Sequence, residues 1–221
     1  MKLSIVIPIY ILDDNLVKLT HKCLQSIYKY TKDYELIIID NKPSGIIISK
    51  EFENFLKRKM KLKYIANKEN VGIGKAWNQG AKIAKGKYIC FMNNDIVVHK
   101  NWAEDLIEIL KNKETAVAFP LSKNKEDDDY FERLAGFCWV IRRSLFNKLG
   151  RIDESYGIAN FEDTDFYMRA KSKGYKLICS TKSKVEHYSR ATCDKVKEVD
   201  KLYSKNEKKY FNRWKILPML D

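Results

Sequence analysis

The sequence predicts an α/β fold built on a mostly parallel central sheet flanked by helices. Three observations carry this prediction: four short apolar or β-rich runs, helix-patterned segments between them, and polar residues directly after each run. The runs are residues 4–8 (SIVIP), 35–40 (ELIIID), 62–66 (LKYIA) and 88–92 (YICFM), which read as interior strands. Helical patterns at 16–30, 50–61 and 75–85 separate them, and another at 102–111 follows the fourth. Parallel neighbours need such crossover segments.

The regular alternation ends after a fifth strand expected at 115–121. An acidic loop at 126–129 leads to a strand at 137–141, expected to run antiparallel, then to a short helix at 144–149 and a loop at 150–160. A helix from about 162 to 174 and a strand at 176–179 follow. From Cys193 the chain is basic and partly amphipathic, which predicts a mobile tail. No repeat or low-complexity linker divides the sequence, so one domain is expected.

Composition sets the outer limits. With 221 residues, 45% apolar and 12% aromatic, the chain can bury a substantial core. Lys and Arg outnumber the acids 42 to 29, and the net charge of +13 attracts phosphates, anionic lipid or nucleic acid without choosing among them. Five widely spaced cysteines lack any Cys-x-x-Cys pair, the pattern of buried reduced thiols in a cytosolic protein. The apolar opening, residues 3–12, contains Pro8 and is followed by Asp13 and Asp14, so it reads as a strand and not as a secretion signal. No apolar run reaches the roughly 18 residues that span a bilayer. A cytoplasmic location is expected, with membrane contact only at the inner face.

Ligands of open parallel sheets gather beyond the carboxyl ends of the strands. There the sequence places Tyr10, then Asp40 and Asn41, then 67–70, then Asn93, Asn94 and Asp95. Asn and Asp favour turns for local reasons, but at a strand end the Asp95 carboxylate can also hold Mn2+ or Mg2+ against a diphosphate. The second acidic motif is Phe161-Glu162-Asp163-Thr164-Asp165 at a helix start. Acids there complement the helix dipole, and one of them, Asp163, is well suited to be a general base. Asp165 precedes Arg169 by four residues, which predicts an ordinary ion pair. His187, beyond the last strand, can complete a cation's coordination shell.

Residues 67–80 (NKENVGIGKAWNQG) fail two nucleotide motifs. Trp77 stands where a dinucleotide fingerprint needs a small residue, and Ala76 replaces the hydroxyl residue of a phosphate loop. Gly72 and Gly74 are expected instead to let the backbone approach a ligand, while Gly80, Ala81 and Ala84 offer a small face for packing. Trp139, Tyr156 and Phe161 are candidate acceptor-side rings, since sugars stack on aromatics, although core packing explains Trp139 equally well.

Together these motifs resemble the inverting glycosyltransferases of family 2, over residues 4–189. The resemblance implies a GT-A, nucleotide-diphospho-sugar transferase fold with a small acceptor-side elaboration. A catalytic domain is then expected over 1–192, divided into a nucleotide-binding half at 1–121 and an acceptor half at 122–192, followed by a tail at 193–221. It also implies that Pro8, Ile9, Tyr10, Asp40, Asn70, Gly72, Lys75, Ala76, Asn78, Asn93 and Asn94 lie along the nucleotide sugar. Asp95 and His187 would bind the metal, and Glu162 and Asp163 would supply the base. UDP or dTDP is expected from the Asp at position 40. Processive relatives resemble Gln-x-x-Arg-Trp near their end, and Tyr210 replaces that Gln here, so transfer of a single sugar is expected. The acceptor would be a glycan or a lipid-linked molecule, the latter met at the membrane through the basic, aromatic tail.

Two competing functions differ in sequence terms. A sugar-phosphate nucleotidyltransferase resembles a Gly-rich loop after the first strand, where this chain has Tyr10 to Asp14. A basic nucleic-acid-binding module fits the charge but leaves the Asn-Asn-Asp and Glu-Asp placements without a purpose, so no nucleic acid is expected.

Overall fold

The computed structural model describes residues 2–41, 61–124, 129, 131–132, 136–158, 160–188 and 198–215. The helix expected over 50–61 (apart from its last residue), most of the acidic loop, Cys193 and the end of the tail at 216–221 lie outside the described residues.

The first half follows the expected alternation. In chain order it contains β1 (Leu3–Ile9), α1 (Asp14–Tyr30), β2 (Tyr34–Asp40), β3 (Leu62–Ala66), α2 (Ile73–Ile83) and β4 (Tyr88–Met92). These are followed by β5 (Ile96–Val98), α3 (Trp102–Ile109) and β6 (Thr115–Asn124). The second half adds β7 (Phe131–Glu132), β8 (Cys138–Arg142), α4 (Arg143–Leu149), a 3-10 turn at Glu154–Tyr156, α5 (Glu162–Ser172), β9 (Lys176–His187) and α6 (Val199–Trp214).

The strands form one sheet in the order β3-β2-β1-β4-β8-β6-β9-β5, with β7 paired to β6. β3, β2, β1 and β4 are parallel. The next strand, β8, is antiparallel to β4 as expected, and β6, the anticipated fifth strand, lies one place further out. Every residue of β1 is buried because the strand is covered on both faces. Leu3, Ile5, Ile7 and Ile9 pack with α1 and α3, while Val6 packs with α2, α4 and α5. A side chain at Gly80 would overlap Val6, which is why α2 needs its small face. Pro8 sits beyond the β1–β4 ladder, which ends at Val6, so its missing N–H breaks no bond there.

At the opposite ends of these strands Glu35 is buried in a satisfied network. It accepts from Ser4 Oγ at 2.6 Å and from Lys85 N at 2.6 Å, and pairs with Lys63 Nζ at 2.7 Å. Burial alone would raise its pKa, but these partners outweigh burial and hold it below the usual value.

The strands of the second half differ from the sequence reading. β5 and β7 were not anticipated, β6 runs to Asn124 instead of 121, and β9 continues past 179 to His187. The continuation pairs with β6 across a register shift between Phe119 and Leu121, an irregularity with no hydropathy signature. It matters functionally, because β9 also pairs antiparallel with β5 and sets His187 opposite Ile96.

The supposed mobile tail is, over 198–215, a docked helix. Asn206 Nδ2 on α6 donates to Tyr156 O at 2.6 Å and to Asn160 O at 3.3 Å. Arg213 Nη1 meets Asp153 Oδ2 at 2.6 Å, and Trp214 Nε1 donates to Asp165 Oδ1 at 3.1 Å. No described helix is long and apolar enough to cross a membrane. None of the four described cysteines forms a disulfide.

Candidate active site

The ends of β1 and β4, the start of α5, the end of β9 and the first turns of α6 enclose a cleft of about 370 Å³. Pro8, Ile9, Tyr10, Asn70, Asn93, Asn94, Asp95, Glu162, Asp163 and His187 all line it. Elements from both halves of the sequence therefore meet at one place.

At one end stands the turn between β4 and β5. Asn93 N donates to Phe137 O at 2.8 Å, and Asn94 Nδ2 donates to Thr20 Oγ1 at 2.8 Å, so Asn94 anchors the turn to α1. Tyr188 N donates to Asp95 O at 3.0 Å, and His187 Nε2 stands 3.4 Å from Asp95 Oδ1. The His187 ring is stacked on Phe137 with centroids 4.2 Å apart.

Asp95 is 6% exposed. Its Oδ1 and the Oδ1 of Asn93 are buried without a hydrogen-bond partner. A buried oxygen left unpaired is costly, and a cation is one way to satisfy it. A carboxylate and an imidazole suit Mn2+ or Mg2+ if diphosphate and water complete the shell. Among the described residues no cluster of three or more His, Cys, Asp or Glu side chains could hold a metal alone.

At the other end is the first turn of α5. Asn160 and Phe161 precede it with φ of 52° and 71°, both left-handed, and no side chain caps the helix. Glu162 Oε2 is buried without a partner, and burial together with neighbouring Asp163 pushes the Glu162 pKa up to about 8. Burial also raises Asp163, against hydrogen bonds from Thr164 and from the Gly136 backbone. Asp163 Oδ1 accepts from Thr164 N at 2.7 Å. A Cβ at Gly136 would lie 2.1 Å from Asp163 Oδ2, so Gly136 leaves the space in which this carboxylate sits.

Other expected site residues lie elsewhere. Asp40 is fully buried, accepts from Tyr64 Oη at 2.5 Å and does not line the cleft. Ala76 belongs to the core, and Lys75 points to solvent. Asn78 is spent on structure: its Nδ2 donates to Ile152 O and Glu154 Oε1, each at 2.9 Å, while its Oδ1 accepts from Ile152 N at 3.1 Å. Gly72 (φ 82°) admits the backbone of Gly157, not a ligand, and Gly74 faces Ile152 and Glu162.

Trp139 is fully buried among Trp77, Phe91, Phe166 and Tyr167 and has no face for a sugar. Tyr156 is only 3% exposed, beneath Lys209 Nζ. Phe161 packs against Tyr203 and Tyr210 of α6 and does not line the cleft. Asp165 pairs with Arg169 Nε at 3.0 Å as its spacing implied.

The cleft also contains residues that the sequence reading passed over: Phe137, Ile158, Asn160, Asp200 and Tyr203. The isolated Gly136 just before β8 was the one signal available for that neighbourhood.

A parallel core extended by a mixed second half and a cleft at the strand ends defines an α/β GT-A-like fold. The chain is similar to S. aureus TarS 1-349, solved in complex with UDP-GlcNAc, at 18% identity and a TM-score of 0.67 over 93% of this chain and 66% of that one. It is also similar to GalNAc-T7, solved with UDP, GalNAc and Mn2+, at 18% identity and a TM-score of 0.71 over 100% of this chain and 52% of that one. The Glycosyl transferase family 2 profile matches residues 4–173, and the chain belongs to that family. A curated relative, glycosyltransferase GlyG of Streptococcus pneumoniae serotype 4, is 28% identical over 131 residues, or 58% of this chain and 41% of GlyG. The match thus spans less than half of that relative's length.

Proposed function

We propose that this chain is a cation-dependent, inverting glycosyltransferase that moves a single sugar from a UDP- or dTDP-sugar to a hydroxyl acceptor. The observation that carries the reading is the joint placement of Asp95 and Asp163 on one cleft. The charge of that cleft supports it. The carboxylates of Asp95, Asp163 and Asp200 line the cleft beside the protonated Glu162, and no Lys or Arg does so among the described residues, in a chain of net charge +13. A diphosphate entering such a site needs a counter-cation. The same charge opposes a nucleic-acid phosphate backbone there. UDP-GlcNAc in the TarS complex, and UDP with Mn2+ in the GalNAc-T7 complex, favour the donor class.

Asp95 and His187 would hold Mn2+ or Mg2+, which supplies charge neutralisation to the departing diphosphate. Asp163 takes the proton of the acceptor hydroxyl as that oxygen attacks the anomeric carbon and the bond to the nucleoside diphosphate breaks. Attack from the face opposite the leaving group inverts the configuration. Glu162, kept protonated by burial, places no second full charge beside the base. Asn93 and Asn70 offer neutral amide groups to the donor. The exposed Lys201, Lys205, Lys208 and Lys215 of the α6 segment suit contact with an anionic membrane at its cytoplasmic face, where a lipid-linked acceptor would be met.

Calorimetry with UDP, with and without Mn2+, and with duplex DNA in parallel tests this function. UDP is expected to bind only with Mn2+. Asp95→Ala should weaken that binding by more than the ~10–100-fold typical of losing an outer-sphere partner. Tight DNA binding indifferent to UDP and Mn2+ would sink the proposal.

A further expectation concerns Gly136. In Gly136→Ala the new methyl must displace Asp163, and a misplacement of about 1 Å lowers kcat by about 100-fold. Steady-state kinetics should show this fall in kcat with a much smaller change in donor KM.

A further inference from the structure

Resting on that reading of the cleft, we propose that its acceptor end takes an uncharged sugar ring whose apolar face lies on Tyr203, and that it rejects phosphorylated acceptors. Tyr203 is 40% exposed, lines the cleft and belongs to α6, an element distant in sequence from the donor-side motifs. An aromatic ring left open to solvent inside a site is the surface on which the C–H face of a pyranose packs.

The ring is held in place. Phe161 lies 5.0 Å from it, tilted by 57°, and is itself packed at 5.4 Å against the buried Tyr210, two turns further along the same face of α6. Ile158, 41% exposed, adds a second apolar contact on the same cleft. Asp200, three residues before Tyr203 and so on the same side of the helix, lines the cleft with Asn160. These two side chains provide an acceptor carboxylate and an amide for sugar hydroxyls. Phe161 adjoins Glu162 and Asp163, so an acceptor resting on Tyr203 is close in the chain's architecture to the turn that carries the base.

Charge decides between neutral and anionic acceptors. A phosphate on the acceptor would enter a space lined by the carboxylates of Asp200 and Asp163, with no Lys or Arg among the described lining residues to offset them. A counter-cation held by Asp95 and His187 would be engaged by the donor diphosphate. A neutral ring meets none of this repulsion.

The test uses the full chain with Mn2+, UDP-glucose, UDP-galactose and UDP-N-acetylglucosamine as donors, and two matched acceptor sets: neutral p-nitrophenyl glycosides and their 6-phosphates. Products are scored by mass spectrometry. Transfer to at least one neutral glycoside and none to its 6-phosphate is expected. Tyr203→Ala should raise acceptor KM about 3–10-fold with a smaller change in kcat, and Tyr203→Phe should restore KM. Tyr28→Ala, at an exposed aromatic outside the cleft, serves as the control and should match the parent.

Equal or better use of the phosphorylated set overturns the inference, as does a Tyr203→Ala KM equal to that of the Tyr28→Ala control. Absence of transfer to every neutral glycoside, with Mn2+-dependent UDP-sugar binding intact, also overturns it while leaving the donor site standing. Absence of that binding instead overturns the function on which it rests.

Discussion

Asp163→Asn is expected to lower kcat by about 10²–10⁴-fold, the usual contribution of a positioned general base. UDP binding in the presence of Mn2+ should stay close to that of the parent, because the donor and cation contacts are assigned to Asp95 and His187 and not to Asp163. Stopped assays under saturating donor, together with calorimetry, separate the two effects. The pH profile gives an independent reading. A base works when ionised, and burial raises the pKa values of both Asp163 and Glu162, with each carboxylate and the nearby Tyr167 hydroxyl facing the same interior. Parent activity should therefore rise with pH across a limb displaced above the ordinary carboxylate range of about 4. Asp163→Asn should flatten that limb. A parent profile already level at pH 5 would contradict the assignment.

Asp165→Ala is expected to destabilise the fold by about 3–5 kcal/mol, the range seen when one member of a buried ion pair is removed. Asp165 is fully buried and serves four partners. Arg169 Nε is at 3.0 Å, Trp214 Nε1 at 3.1 Å, Arg213 Nε at 3.2 Å and Tyr156 Oη at 3.4 Å. Asp165→Asn keeps a side-chain carbonyl for some of these donors and should cost less. Urea unfolding at constant pH measures both variants, and a loss below 1 kcal/mol for the alanine variant would show that the network contributes little.

The parallel half of the fold was legible because its information is local. Runs such as 35–40 and 88–92 are apolar on both faces only if helices cover both sides, and the polar residues after them mark the end where a ligand can sit. Asp95, Asp163 and His187, singled out by that logic together with the family resemblance, all line one cleft. What escaped was the part fixed by pairing across distance. The polar run 180–183 falls at the register irregularity and looks like the end of the strand, yet pairing resumes with β6 at Lys184 and with β5 at Val185, and only then does His187 come level with Ile96.

Within residues 70–80, Asn70 lines the cleft, but Gly72 and Asn78 do not, for the opposite reason. Their glycine and asparagine pattern suggested ligand contact, yet Gly72 and Asn78 are engaged by the 150–157 loop, a neighbour that no local pattern could announce. The aromatic candidates show the same limit. Trp139 was a candidate and Tyr203 was not, and only burial separates the core ring from the open one.

The left-handed residues Asn160 and Phe161 each store on the order of 1–3 kcal/mol. Their restraint arrives from Asn206, 46 residues downstream, and from two tyrosines on the same helix. The acidic turn is consequently a sprung part kept cocked by a remote catch. Heat, denaturant or a tug on that final helix would let it relax while the sheet beneath stayed whole, making competence more perishable than architecture.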